Sequence, residues 1–555
     1  MNTLKNILLS VALFCGLQNI LAQTENSIIS TIQKEVDRNK AGLQLEGMAP
    51  PFFISYTVVD MYDYRLTATL GSIGSFSESH VRRGIPRLLV GDYMRNAGAG
   101  RPNTSSVYPA NTSLDDNSRI AITIWRTLDD LYKNLVEQYN SKMATLQQRT
   151  QTKEETELPD FEKIAPVNMI LKSVPVKFDK TYWENYLRKV SETAKQYPDI
   201  INSNLTLNVR NYTSYTYNTE GSRYAVPYTL YQLVFSASTR TVDGQDITHS
   251  IYLENATFEQ IPDVVNYSNQ CKALMEELLK LKNAPVLKEV YRGPVLFEGR
   301  AVNEIFRQAF FANDKMCAAP KPVVQPNANR SIGEPQEGGN DFELMLGKRV
   351  ISRNLTMKSI TGQEFYKGQR LNGYYPVDAE GVVPEKELTL IENGILRNML
   401  NGRRPTQKIQ NSNGHVRYHY NTSSWKVLPG NILITCNQTF SKEELRKKLL
   451  DAAREEGLEY AYIVRRYSPL GGFLNYKIYV ADGREELVRC ATVSDPTNIK
   501  SFERILGASD QELIVSFDDI QSSYICPDAL LFEELDVIRT TNIEFKKPYI
   551  VPKPN

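Results

Sequence analysis

Apolar residues recur at every third or fourth position from Ser27 to Asn39, where Ile28, Ile29, Ile32 and Val36 form one stripe. That spacing predicts an amphipathic helix opening the fold. After Pro50-Pro51 the period changes: Phe52 to Asp60 and Tyr64 to Ser77 are dense in β-branched and aromatic residues and predict strands, with Gly71 and Gly74 as bends. Leu128, Leu131, Leu135, Tyr139 and Met143 return to helical spacing and predict a helix from Leu128 to Arg149. The charged stretch from Lys153 to Lys163, broken by Pro159, reads as an exposed linker. Strand character resumes from Leu205 to Tyr252 around a tight turn at Tyr217 to Ser222, and a helix from Val264 to Leu281 runs into Asn283-Ala284-Pro285. Beyond that break, Gly381, Gly394, Gly402, Gly414 and Gly430 punctuate short apolar runs as in an antiparallel meander. One helix interrupts it. Ser441 and Glu444 form a capping box, Leu445, Leu449 and Ala452 an inner face, and Gly457 a left-handed stop. The pattern predicts an α+β protein: an N-terminal mixed α/β domain over 23–285, then a C-terminal domain over 286–555 dominated by antiparallel β-sheet.

Residues 1–22 stand apart. Lys5 precedes an apolar run from Ile7 to Leu17, and Ala22 offers a small residue before Gln23, the pattern of a cleaved signal peptide. Export to a bacterial periplasm, or secretion, is therefore expected. The run falls short of the roughly 20 apolar residues that span a bilayer, and no later stretch supplies a transmembrane segment. Lys+Arg number 65 against Asp+Glu 64, so no basic excess favours nucleic acid or an anionic membrane surface. Five cysteines remain after processing (Cys271, Cys317, Cys436, Cys490 and Cys526), with no Cys-x-x-Cys pair. They allow two disulfides at most, and buried free thiols are the favoured reading. His415 and His419 lie in an alternating, strand-like segment, where positions four apart are separated by about 13 Å. That separation disfavours a shared metal and leaves a structural or substrate-facing role.

The segment with most chemistry is Tyr291-Arg-Gly-Pro-Val-Leu-Phe-Glu-Gly-Arg-Ala-Val-Asn303-Glu304-Ile-Phe-Arg-Gln308. Further on come Asp378-x-Glu380-Gly381-Val382, Leu390-Ile391-Glu392-Asn393-Gly394-Ile395-Leu396, Arg403-Arg404, Asn413-Gly414-His415-x-Arg417, Pro429-Gly430-Asn431, Asp482-Gly483-Arg484-Glu485-Glu486-Leu487-Val488-Arg489 and Ile505-Leu506-Gly507-Ala508-Ser509. In this collinear order, residues 285–545 resemble the C-terminal domain of the TldD/PmbA (TldD/TldE) peptidases. The first half is similar more loosely, chiefly through Tyr217 to Ser222, and the segment around 80–165, which has no counterpart in the family, is implied to be an insertion in the N-terminal domain.

In the catalytic branch of that family the helix after Gly-Pro-Val-Leu bears His-Glu-x-x-x-His, with a cysteine near the C-terminus completing a zinc site. This chain has Asn303, Glu304 and Gln308 at those positions, and a neutral amide oxygen is a poor substitute for imidazole. Glu304 then has no metal-bound water to deprotonate. Cys526 lies roughly where the third ligand would fall, in surroundings that lack the family's glycines. Ala301, Val302, Ile305, Phe306, Ala309 and Phe310 form a packing stripe that leaves Asn303, Glu304 and Arg307 toward solvent or a groove. The resemblance thus implies an exported member of the metal-free TldE/PmbA-like branch, a pseudoenzyme pairing as a dimer with a zinc-bearing TldD-like subunit to bind unfolded peptide. No cofactor is expected in this chain. Arg403, Arg404, His415 and Arg417 are candidate substrate-binding residues, as anchors for carboxylates, or equally the arginines are partners of Asp378, Glu380 or Glu392 within the fold. Two further readings remain: an independently active metallopeptidase with a rebuilt site, and a stand-alone peptide-binding or structural protein.

Overall fold

The computed structural model describes residues 27–98, 110–112, 117–148, 150–151, 153–173, 176–318, 342–419, 424–467, 473–517, 521–540 and 546. The signal-peptide expectation for 1–22 falls outside these residues.

The opening helix, α1, covers 27–42, and its stripe of Ile28, Ile29, Ile32 and Val36 is fully buried. Two long strands follow, β1 (Pro51–Thr69) and β2 (Ser72–Gly91), paired antiparallel almost throughout. The two strands expected over 52–77 are therefore one strand and the start of the next. Met61 to Asp63, between the two expected strands, continue the extended chain because both neighbouring strands pair with them. Helix α2 (Asn117–Gln147) starts well before Leu128, since Ile120 and Ile124 extend the same buried stripe. Helix α3 (Lys180–Glu192) was not predicted. It is capped by Asp179, whose carboxylate accepts from the Tyr182 N–H, and it buries Trp183, Tyr186, Leu187 and Val190 at helical spacing. Each such fully buried side chain contributes about 1.5–3 kcal/mol of transfer free energy. Strands β3 (Asn202–Asn218), β4 (Arg223–Arg240) and β5 (Asp246–Asn255) complete the first sheet, and helix α4 (Val264–Lys282) closes the domain.

The long strands run in the order β2-β1-β3-β4-β5, all antiparallel. One face of the sheet packs against the helices. Ile54, Tyr56, Val58, Tyr215 and Ala225 meet α1 and α2, while Leu205, Leu207, Leu233 and Phe235 meet α3 and α4. The opposite face turns toward the C-terminal half.

That half contains two larger sheets. One is built around β6 (Tyr291–Glu298), β10 (Tyr460–Arg466), β11 (Leu474–Tyr479), β12 (Ile505–Ser509) and β15 (Ala529–Arg539). The other is built around β7 (Leu355–Ser359), β8 (Leu388–Glu392), β9 (Asn431–Cys436), β13 (Glu512–Phe517) and β14 (Ser522–Pro527). Most pairings are antiparallel, although β6 with β10 and β9 with β14 are parallel. Helix α5 (Arg300–Phe306) lies between these sheets, and Val302, Ile305 and Phe306 fill a core that also holds Leu390, Ile432, Phe502 and Phe532. Helix α6 (Lys442–Glu455) has the expected capping box, with Gly457 at φ 72°. Its buried face is Leu445, Leu449 and Ala453, one residue beyond the expected Ala452. Among the described residues, no helix is long and apolar enough to cross a membrane.

Candidate functional site

Strand β6 carries the Gly-Pro-Val-Leu run between β10 and β15, and Gly299, at φ 64°, turns the chain into α5. A side chain at that φ is strained, which suits glycine to the junction. The α-helix lasts only to Phe306 and passes into a π-turn over Arg307–Phe311. In a regular α-helix, positions five apart diverge by about 140°. A π-turn, bonded i to i+5, brings such positions toward one face, but here it begins only at Arg307 and so leaves Asn303 and Gln308 at nearly α-helical spacing.

All six residues of the expected stripe are buried. Asn303 and Glu304, expected to face solvent or a groove, are buried as well, at 0% and 6% exposure, because both sheets close over this end of the helix. The Asn303 amide donates to the carbonyls of Tyr524 (2.9 Å) and Leu513 (3.2 Å), while its Oδ1 is buried without a hydrogen-bond partner. Leu513 pairs with Cys526 across β13 and β14, so Asn303 is tied to the strand that carries that cysteine and to its neighbour. Glu304 accepts from Arg307 Nη2 at 2.7 Å, Arg307 Nε at 3.2 Å and Gln308 Nε2 at 2.9 Å. Burial pushes the Cys526 thiol well above its ordinary range, which makes it a neutral core group rather than a ready thiolate. Cys271, Cys317, Cys436, Cys490 and Cys526 are free thiols that form no disulfide with one another. The two amides direct N–H groups at protein oxygens and the carboxylate is already neutralised, so this donor set does not fit zinc. Among the described residues, no group of three or more His, Cys, Asp or Glu side chains is placed to hold a metal ion.

The candidate anchors are more deeply set than their polarity suggests. Arg403 is entirely buried. Its guanidinium donates to Glu220 Oε1 at 2.6 Å and to the Glu162 carbonyl at 2.6 and 2.9 Å, and it lies 4.1 Å from the Phe161 ring centre. Glu380 accepts from the Arg403 backbone N–H at 2.7 Å and pairs with Arg87. Against the upward push of burial, Arg87 and Arg403 hold the Glu380 carboxyl below its usual range. For Arg403 the geometry is that of a partner within the fold, joining the two halves of the chain. Arg404 is half-buried. His415 is buried between Ser359 Oγ (2.8 Å) and Asn413 Oδ1 (2.9 Å), and desolvation pushes it down to about 3, leaving a neutral imidazole. Arg417 donates to the carbonyl and side-chain oxygens of Gln521 at 2.5 and 2.7 Å and lies 4.8 Å from the Tyr375 ring centre. The His419 side chain is outside the described residues.

Arg417 leads to a feature not anticipated from sequence. A cavity of about 280 Å³ lies between the helix-free face of the first sheet and the segment 364–379. Strand register builds its floor in rows across β1, β3 and β4: Thr57-Thr216-Tyr224, then Val59-Ser214-Val226, then Tyr212 beside Tyr228. Tyr374 and Tyr375 form the facing wall, and Gln521 closes one end, accepting from Tyr212 OH at 3.0 Å. The alternation Tyr224, Val226, Tyr228 is visible in the sequence, but nothing local says which sheet face stays uncovered by helices.

A helix-backed antiparallel sheet thus stands against a two-sheet domain that holds the Asn-Glu-x-x-x-Gln helix in its core. Residues 292–458 match the family model described as the PmbA/TldA metallopeptidase C-terminal domain. That segment thus carries a TldD/PmbA-type domain. No curated protein sequence matches it. In fold it is similar to a candidate modulator of DNA gyrase from Thermotoga maritima, with TM-score 0.59 and 14% identity over 91% of this chain and 100% of that one. It is also similar to a candidate DNA gyrase modulator from Bacteroides thetaiotaomicron, with TM-score 0.58 and 11% identity over 92% and 98%. TldE from Thermococcus kodakarensis gives TM-score 0.53 and 12% identity over 88% and 96%.

Proposed function

We propose that this chain is the non-catalytic, peptide-binding member of a pair whose zinc-bearing, TldD-like partner carries out proteolysis of unfolded peptides. The observation that carries the reading is the state of Glu304, which is bonded to Arg307 and Gln308 where a peptidase would leave a carboxylate free beside a metal-bound water. Asn303, at the position of the first imidazole, is committed to backbone carbonyls. The chain therefore carries no zinc of its own and does not cleave peptides alone. Lys5 and the apolar run that follows it support export, so the pair works in the periplasm or outside the cell. Zinc analysis of the tag-free mature chain, residues 23–555, tests this. Less than about a tenth of an equivalent after dialysis, with no cleavage of unfolded casein, is the expected result. Near one equivalent with chelator-sensitive cleavage would instead make the chain an independent metallopeptidase with a rebuilt site.

A further inference from the structure

We propose that the tyrosine-lined cavity between the first sheet and segment 364–379 is a seat for one aromatic side chain of an extended peptide. The proposal rests on the peptide-binding reading and assigns it a place and a side-chain class.

The chemistry of the walls selects the occupant. Tyr212, Tyr224, Tyr228, Tyr374 and Tyr375 supply ring faces and edges, and Val59, Val226 and Leu371 supply aliphatic contact. Tyr212 and Tyr228 already pack with ring centres 5.1 Å apart, a spacing that a third ring can join edge-on. The charged groups around the cavity are engaged with the protein. Asp378 accepts from the backbone N–H groups of Glu380, Val382 and Val416 at 2.8, 2.9 and 3.0 Å. Arg417 is spent on Gln521 and the Tyr375 ring, and Arg370 is paired with Glu364 at 3.0 Å. An ionic ligand would have to break one of these arrangements, whereas a neutral ring need not. A volume of about 280 Å³ lies at the small end of ligand sites, enough for a side chain and its backbone but not for a folded segment. Tyr228, Tyr374 and Arg370 are half-exposed, giving a solvent-side mouth through which a chain can enter and leave.

The test uses saturation-transfer NMR on the mature chain with N-acetyl-phenylalaninamide and N-acetyl-alaninamide as probes, and fluorescence anisotropy with labelled unfolded casein. The phenyl probe is expected to bind at least about tenfold more tightly than the methyl one, from its larger buried apolar area and ring contacts. Val226→Trp, which directs an indole into the cavity from a half-buried position, should weaken the phenyl probe at least tenfold, and Tyr228→Ala should weaken it several-fold. Thermal melts identify whichever variant keeps its fold, and one folded variant suffices. No preference for phenyl over methyl, or undiminished phenyl binding in a folded Val226→Trp variant, overturns the proposal. Casein binding that persists alongside that result leaves the peptide-binding reading standing and removes only the cavity. Phenyl binding at the cavity without casein binding removes the reading and keeps the cavity.

Discussion

Arg403 provides a severe test of how the two halves of the chain are held together. Arg403→Met removes a guanidinium that is completely buried and that bridges Glu220 and the Glu162 carbonyl on one side to Glu380 on the other. Methionine keeps an unbranched apolar stem between Phe53 and Phe161, so little cavity is created. The main effect is electrostatic. Among the described residues Glu220 keeps only Tyr93 as a side-chain donor, at 2.8 Å, and its Oε2 is already buried without a hydrogen-bond partner there. Breaking one side of such a buried pair costs about 3–5 kcal/mol. If about 250 residues unfold together, each kcal/mol lowers Tm by about 2 °C, giving a fall of about 6–10 °C. Calorimetry and urea unfolding of Arg403→Met, Glu220→Gln and the double variant form a double-mutant cycle. Neutralising Glu220 in the Arg403→Met background should recover about 1–3 kcal/mol relative to additivity. A single variant within about 1 kcal/mol of the parent, or strict additivity in the cycle, would refute the account of Arg403 as a structural partner and return it to the pool of substrate anchors.

Asn303→Leu removes the donor that satisfies the Tyr524 and Leu513 carbonyls and should lower stability by about 1–3 kcal/mol, read from the urea midpoint, without changing zinc content. His249 and His415 are both pushed down to about 3 by burial, against about 6.5 when unfolded, so below pH 6.5 the unfolded chain binds more protons than the folded one. Their joint contribution is intact above pH 6.5 and is lost toward pH 3, at up to about 2.7 kcal/mol per pH unit; His415→Asn should halve that slope in urea titrations at pH 4 to 6. Gly394 has φ 80°, and a Cβ there would lie 2.4 Å from the Ile351 carbonyl oxygen, whereas Gly457 at φ 72° faces open space. Gly394→Ala should therefore cost several kcal/mol and Gly457→Ala only about 1 kcal/mol, and equal Tm shifts would contradict the clash.

The sequence by itself determined the elements whose signals are local. Periodicity marked α1 and α4, Ser441 and Glu444 marked the start of α6, and the collinear motifs after Tyr291 carried the family resemblance and the α+β fold it implies. The departure at Asn303 and Gln308 from the motif that the resemblance implies was equally plain, because comparing a motif needs no tertiary information. Helix α3 was missed although Asp179, Trp183, Tyr186, Leu187 and Val190 carry a cap and a stripe, since its aromatic residues also suit strands. What only the tertiary structure decided is which polar groups face inward. Asn303 and Glu304 lie off the apolar stripe yet are buried, because two sheets converge on α5 from sides its own periodicity does not register. Arg403 finds its partners at Glu220 and Glu162, 183 and 241 residues away. The cavity exists because the strand register of β1, β3 and β4 lines up tyrosines contributed by distant segments on the one sheet face without a helix. Burial and pairing at such distances follow from how whole layers pack, and that is a property of the assembled chain rather than of any window within it.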